Sequence, residues 1–157
     1  MESLNDFVRA NERWFVGHLP ETDTTLDAAE NELGLKIPTC IRWILRDYGY
    51  WHATGIESLE DSIKNTIAGR KHADMPHQYL VLYDHQDGGV VVVDSNVDDR
   101  IFGPPVSHLG WEDIPEGLDA EPEFPSYLAY VKDVLEDRRG FIDESDIDYD
   151  PTRYGRV

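Results

Sequence analysis

The chain has 157 residues, 40% hydrophobic and 29% charged, with four Trp, eight Tyr and five Phe; that composition suits one domain with a buried core and excludes a disordered polymer. Its 32 acidic residues outnumber 14 basic ones, for a net charge of -18, a field that repels nucleic-acid phosphates and anionic membranes and draws in basic partners. No run approaches the roughly 20 apolar residues of a membrane span and no apolar signal-peptide core follows Met1, so direct nucleic-acid binding, membrane insertion and export are not expected and the chain is placed in the cytoplasm.

Leu4, Phe7, Val8, Asn11, Trp14 and Phe15 recur at near-helical spacing, which predicts a first amphipathic helix with Gly17 as its stop. Beyond Pro20, Thr25 is a candidate cap for a helix carrying Leu26, Ala29, Glu30 and Leu33, and Gly34 supplies a left-handed terminus. Pro38 suits the first turn of the next helix, whose apolar face is Ile41, Ile44, Leu45 and Tyr48 and whose end is Gly49. The short connection makes these two helices a packed corner.

Residues 50–58 read as extended, and Leu59, Ile63, Thr66 and Ile67 as the stripe of another helix. Then the period changes: YLVLYD and VVVVD flank HQDGG, a hairpin in which Asp87-Gly88-Gly89 supplies positive φ values. Short strands are expected at Arg100–Gly103 and Val106–Leu109, separated by Pro104-Pro105. Phe124, Tyr127, Leu128, Val131 and Leu135, behind Pro125, predict a last helix ending near Arg138, Arg139 and Gly140. Helices flank the strands without βαβ alternation, so the class is α+β with a mostly antiparallel sheet. The sequence FIDESDIDYDPTRYGRV that follows is either a loose end or, given Phe141, Ile142, Ile147 and Tyr149, a docked one.

Taken in order, Glu30-x-x-Leu33-Gly34, Ile37-Pro38, a helix closing in Tyr48-Gly49, the strand-Asp-Gly-Gly-strand-Asp unit of residues 79–94, Gly103-Pro104-Pro105-Val106 and Phe124-Pro125-Ser126-Tyr127-Leu128 resemble the signature of the SUKH (Smi/Knr-like) superfamily over residues 24–135. The resemblance implies a curved, mostly antiparallel sheet flanked by helices over residues 1–140, with 141–157 as an acidic extension. It also implies a role: many bacterial members are immunity proteins that bind and block a cognate toxin domain of a polymorphic or contact-dependent system, often a nuclease or deaminase. The matching positions Gly34, Pro38, Tyr48, Gly49, Gly88 and Asp94 are structural, and the resemblance carries over no catalytic residue.

The chemistry-bearing residues point the same way. The six histidines, at 18, 52, 72, 77, 85 and 108, form no HxxxH or HExxH pair. A metal site drawn through His72, Asp74, His77, Asp84 and His85 competes with solvated loop histidines. Asp84 and Asp94 end the hairpin strands, where carboxylates more often bond nearby amides than perform acid/base work. Cys40 lies among apolar residues and reads as core. No GxSxG, Walker loop or GxGxxG occurs, so no enzyme activity, cofactor or metal is expected.

A protein partner is the expectation left, and charge places it. From Glu112 to Asp150 fourteen residues are acidic and three, Lys132, Arg138 and Arg139, are basic, whereas residues 1–111 carry eighteen and nine. A toxin site that accepts a polyanion is basic, so this stretch can occupy it by charge mimicry. The candidate contacts are Glu112, Asp113, Glu116, Tyr130, Asp143, Glu144, Asp146, Asp148, Tyr149 and Asp150. Trp111, Phe141 and Ile147 are further apolar anchors. Trp111 also fits burial under the sheet, whereas Tyr130, off the stripe of its helix, is expected to be exposed. A regulator or scaffold without a toxin partner, and a small-ligand binder, remain alternatives.

Overall fold

The computed structural model describes residues 1–15, 19–50 and 52–147; Gly17, Asp148, Tyr149 and Asp150 lie outside them. The first helix is two: α1 (Leu4–Ala10) and α2 (Glu12–Phe15) meet at Asn11, whose backbone leaves helical geometry and whose Nδ2 donates to the Phe7 carbonyl at 2.9 Å. Asn competes with the helix by bonding local carbonyls. Leu4, Val8, Trp14 and Phe15 nevertheless all face the core.

The expected corner is formed by α3 (Asp23–Leu33) and α4 (Thr39–Asp47), with Gly34 at φ 65° ending the first. Thr22 caps α3, and Thr25, the expected cap, is the third helical residue that completes a reciprocal capping box with it. Glu30 fixes the corner. Its nearly buried carboxylate accepts from the Ile37 amide at 2.9 Å and stands 3.3 Å from the Arg42 guanidinium. Pro38 offers no side-chain cap to α4, and Asp98 supplies one from far along the chain, accepting from the Thr39 amide at 2.8 Å and hydroxyl at 2.7 Å.

Helix α5 (Leu59–His72) buries Leu59, Ser62, Thr66 and Gly69, while Ile63 is half-buried and Ile67 is exposed. The expected stripe is therefore rotated. Small residues face the sheet because α5 lies close against its edge strand, and the Val81 amide donates to Thr66 Oγ1 at 2.9 Å.

The sheet is antiparallel in the order β1-β2-β3: β1 (Tyr79–Asp84), β2 (Val90–Asp94) and β3 (Val106–Leu109). The hairpin stands as expected, but its positive φ values fall on Gln86 (59°) and Gly89 (94°). Asp84 and Asp94 are turn formers, accepting from the amides of Gln86 and Asn96 at 2.9 Å each. The strand expected at Arg100–Gly103 is instead a turn: Asp99 Oδ1 accepts from the amides of Ile101 and Phe102, which removes them from any ladder.

A bulge between Val81 and Tyr83 keeps Leu82 and Tyr83 on the same face of β1. That face, with Leu80, Val91, Val93 and Val106, packs on the main core. The opposite face, with Val81, Val90 and Val92, is covered by a smaller cluster of Met75, Ile114, Trp111 and Leu118.

Both sheet edges are covered. On β1 the Leu82 carbonyl accepts from the Glu57 amide at 3.1 Å and the Asp84 amide donates to Glu57 Oε1 at 3.0 Å; on β3, Val106 and Phe124 exchange two bonds of 3.0 Å. Continuing that register brings Pro122 opposite His108, and a residue with no N–H ends the ladder. Phe124 thus belongs to the sheet edge and not to the last helix.

Helix α6 (Tyr127–Arg139) starts at its cap Ser126, which accepts from the Ala129 amide at 3.1 Å, and ends at Gly140. It buries a wide arc of Tyr127, Leu128, Tyr130, Val131 and Leu135. After it, Ile142 is half-buried and Ile147 is buried against the core, so the chain is docked through residue 147.

Candidate binding cleft between the sheet and the last helix

Two periodicities place one cleft. Cross-strand pairing puts Tyr83, Val91 and His108 in a row on one face of the sheet. Positions 130, 133, 134, 137 and 138 of α6 recur at i, i+3, i+4, i+7 and i+8, which is one helix face. The row and the face both line a cavity of about 470 Å³, to which Glu123, Phe124 and Gly55 also contribute.

Aromatic rings form the inner surface. The Tyr83 and His85 rings stack at 4.2 Å with 17° between their planes, His108 lies 5.5 Å beyond His85, and Phe124 and Tyr130 meet at 5.4 Å. Tyr130 is 5% exposed, which overturns its expected exposure. Three residues beyond Tyr127, it shares that residue's side of the helix, and its hydroxyl donates to the Gly55 carbonyl at 2.7 Å. A Cβ on Gly55 would fall 2.4 Å from the Tyr130 ring, so only glycine leaves room for this contact, at a φ of 69° that also favours it. Tyr127 makes the companion bond to the Thr54 carbonyl. Burial pushes both phenols above their ordinary pKa.

Carboxylates form the rim. Glu123, Asp133, Glu136 and Asp137 are exposed, and among the described residues none of the three on α6 is in an ion pair. The basic residues of α6 are turned elsewhere: Lys132 reaches Glu2 at 3.2 Å and lies over the Phe7 ring, and Arg139 donates to Asn11 Oδ1 at 2.9 Å and lies over Trp14. Arg138 is the exception. It lines the cleft and an adjoining smaller cavity of about 240 Å³ bounded by Tyr50, Ile56, Glu57 and Ile142.

The two histidines are held by the hairpin. His108 Nε2 is 2.8 Å from the Gly88 carbonyl, which assigns the proton to that nitrogen and leaves Nδ1 facing Glu123 at 3.8 Å. Burial holds the His85 imidazole below its ordinary pKa; His108 and Arg138 push the same way, against Glu57 and Asp84.

The sequence-selected residues lie elsewhere, in two groups. Glu112, Asp113 and Glu116 are exposed on short turns after β3, over the opposite face of the sheet. Asp143, Glu144 and Asp146 are exposed after α6, the first two beside Trp14 and Phe141. Trp111 is half-buried, donating to Asp84 Oδ1 at 3.0 Å and packing over Gly69. Ile147 is buried and offers no free anchor, whereas Phe141 is 83% exposed.

Sequence reasoning missed Glu123, Asp133, Glu136 and Asp137 as a group. The helical stripe beginning at Tyr130 is a signal that finds Asp133 and Asp137.

Cys40 is buried, as expected. Its thiol lies 3.3 Å from the Asp99 carbonyl, and burial, then Asp98 and Asp99, push its pKa up to about 11. Among the described residues no three His, Cys, Asp or Glu side chains are grouped to hold a metal ion, and no helix is long and apolar enough to cross a membrane. No protein-family model matches the chain, and neither does any curated protein.

Proposed function

We propose that this chain is an immunity protein: it binds a basic toxin domain, of nuclease or deaminase chemistry, and blocks it with the acidic face around α6. The observation that carries the reading is the cleft itself, an aromatic floor ringed by Glu123, Asp133, Glu136 and Asp137. A solvated acidic face serves solubility without any concavity, whereas carboxylates around accessible rings in a cleft are the arrangement that steers and then anchors a cationic partner. The turning of Lys132 and Arg139 toward α1 and α2 leaves the field at the cleft mouth negative. The motif order that resembles SUKH immunity proteins supports the same role.

Growth rescue tests it. The chain is co-expressed with each candidate toxin domain encoded next to its gene, and cell growth is scored. Rescue by the wild type, together with co-purification of the two proteins, is the expected result. Growth arrest despite soluble chain, with every adjacent gene product, sinks the immunity reading.

A further inference from the structure

We infer that the cleft receives an arginine side chain of the partner, with its guanidinium laid on the Tyr83–His85 stack and bonded by Asp133 and Asp137; this rests on the reading above and names the chemistry it recognises. Three observations select arginine. The cleft carries carboxylates beside Phe124, from Glu123, and along its α6 face, from Asp133 and Asp137, so the occupant is a cation. Tyr83 and His85 stack face to face at 4.2 Å, 17° from parallel, which leaves an outer ring face for a ligand, and a planar, weakly hydrated guanidinium extends such a stack where a strongly hydrated ammonium does not. Asp133 and Asp137 stand one helical turn apart on the same face, with Cβ atoms about 5–6 Å apart. That spacing lets two carboxylates take different edges of one five-donor fork.

The Gly55–Tyr130 contact fixes the floor, because the ring is buried and hydrogen-bonded. The site is thus preformed, which lowers the ordering cost of binding.

The test is an NMR titration of the full chain with three capped pentapeptides, Gly-Gly-Xaa-Gly-Gly, where Xaa is arginine, lysine or citrulline. The arginine peptide is expected to shift the resonances of Tyr83, His85 and His108, to bind several-fold more tightly than the lysine peptide, and to outcompete the uncharged citrulline peptide. The near-isosteric pair Asp133→Asn with Asp137→Asn is expected to weaken arginine binding about tenfold. Tyr83→Leu, checked for folding by its spectrum, is expected to erase the preference for arginine over lysine.

Equal binding of the two cations to the wild type, shifts centred on Glu112 or Asp143 instead of the cleft, or no binding by any peptide overturns the inference. The two proposals separate in the toxin assay. Rescue that is indifferent to the Asn pair leaves immunity standing without the arginine site, and arginine-selective shifts without rescue do the reverse.

Discussion

At the scale of single residues, the fold depends on polar side chains that reach across long stretches of sequence. Asp98 is 59 positions from the helix terminus it caps. Asp98→Ala is therefore expected to lower stability by about 1–2 kcal/mol, the usual cost of a lost helix cap, read as a lower urea midpoint with unchanged slope. His85 gives a pH-dependent expectation with a definite sign. Its folded pKa is depressed, so the unfolded chain binds the proton more readily. Stability is full above the ordinary histidine value and falls as pH drops through that value and then the lowered one. The groups facing it are His108, Glu57, Asp84 and Arg138. A His85→Gln variant should flatten that part of the stability profile; an unaltered profile assigns the acid sensitivity to other groups.

At the scale of elements, the sheet is stabilised as much by what covers its edges as by its three strands. The Val81 amide is buried, and Thr66 Oγ1 accepts from it. Thr66→Val keeps the shape of the side chain and removes the acceptor, so it should cost about 1–3 kcal/mol, the penalty of an unsatisfied buried donor. Native-state hydrogen exchange should then show faster exchange in β1 than in β2. Equal exchange in the two strands would mean that water or a shift of α5 replaces the hydroxyl.

The same scale explains what could be read in advance. The corner of α3 and α4, the hairpin and α6 are local, because caps, turn residues and apolar spacing specify them within a dozen positions. Phe124 fits the helical stripe in sequence, whereas its pairing with Val106 is set by tertiary contact, and apolar Ile101 and Phe102 give Arg100–Gly103 the look of a strand and conceal the turn that Asp99 imposes. The rotation of α5 escaped a hydrophobic stripe because close packing there selects Ser62, Thr66 and Gly69 for their size.

For the molecule as a whole, net charge of -18 sets sign and range, while the fold decides where the field is useful. The acidic count points to the C-terminal third but to other residues of it than the cleft rim of Glu123, Asp133, Glu136 and Asp137. The sheet residues that share the cleft with that rim come from positions 83–108, which no count of charge in one segment could bring to it. The burial of Tyr130 is illegible in the sequence for the same reason: its hydrogen-bond acceptor, Gly55, is 75 residues away.

The most direct test of the proposed role is the association rate constant of the chain with the basic toxin domain it is proposed to bind, followed by stopped flow from low to physiological ionic strength. Screening shortens the reach of the field to about 8 Å at physiological salt, so the wild-type rate should fall steeply as salt rises. With Asp133→Lys, Glu136→Lys and Asp137→Lys combined, it should start at least tenfold lower at low salt and lose most of its slope. The corresponding reversal of Asp143, Glu144 and Asp146 should change it less. A triple α6 variant that associates as fast as the wild type at low salt, with the same salt slope, would contradict the account.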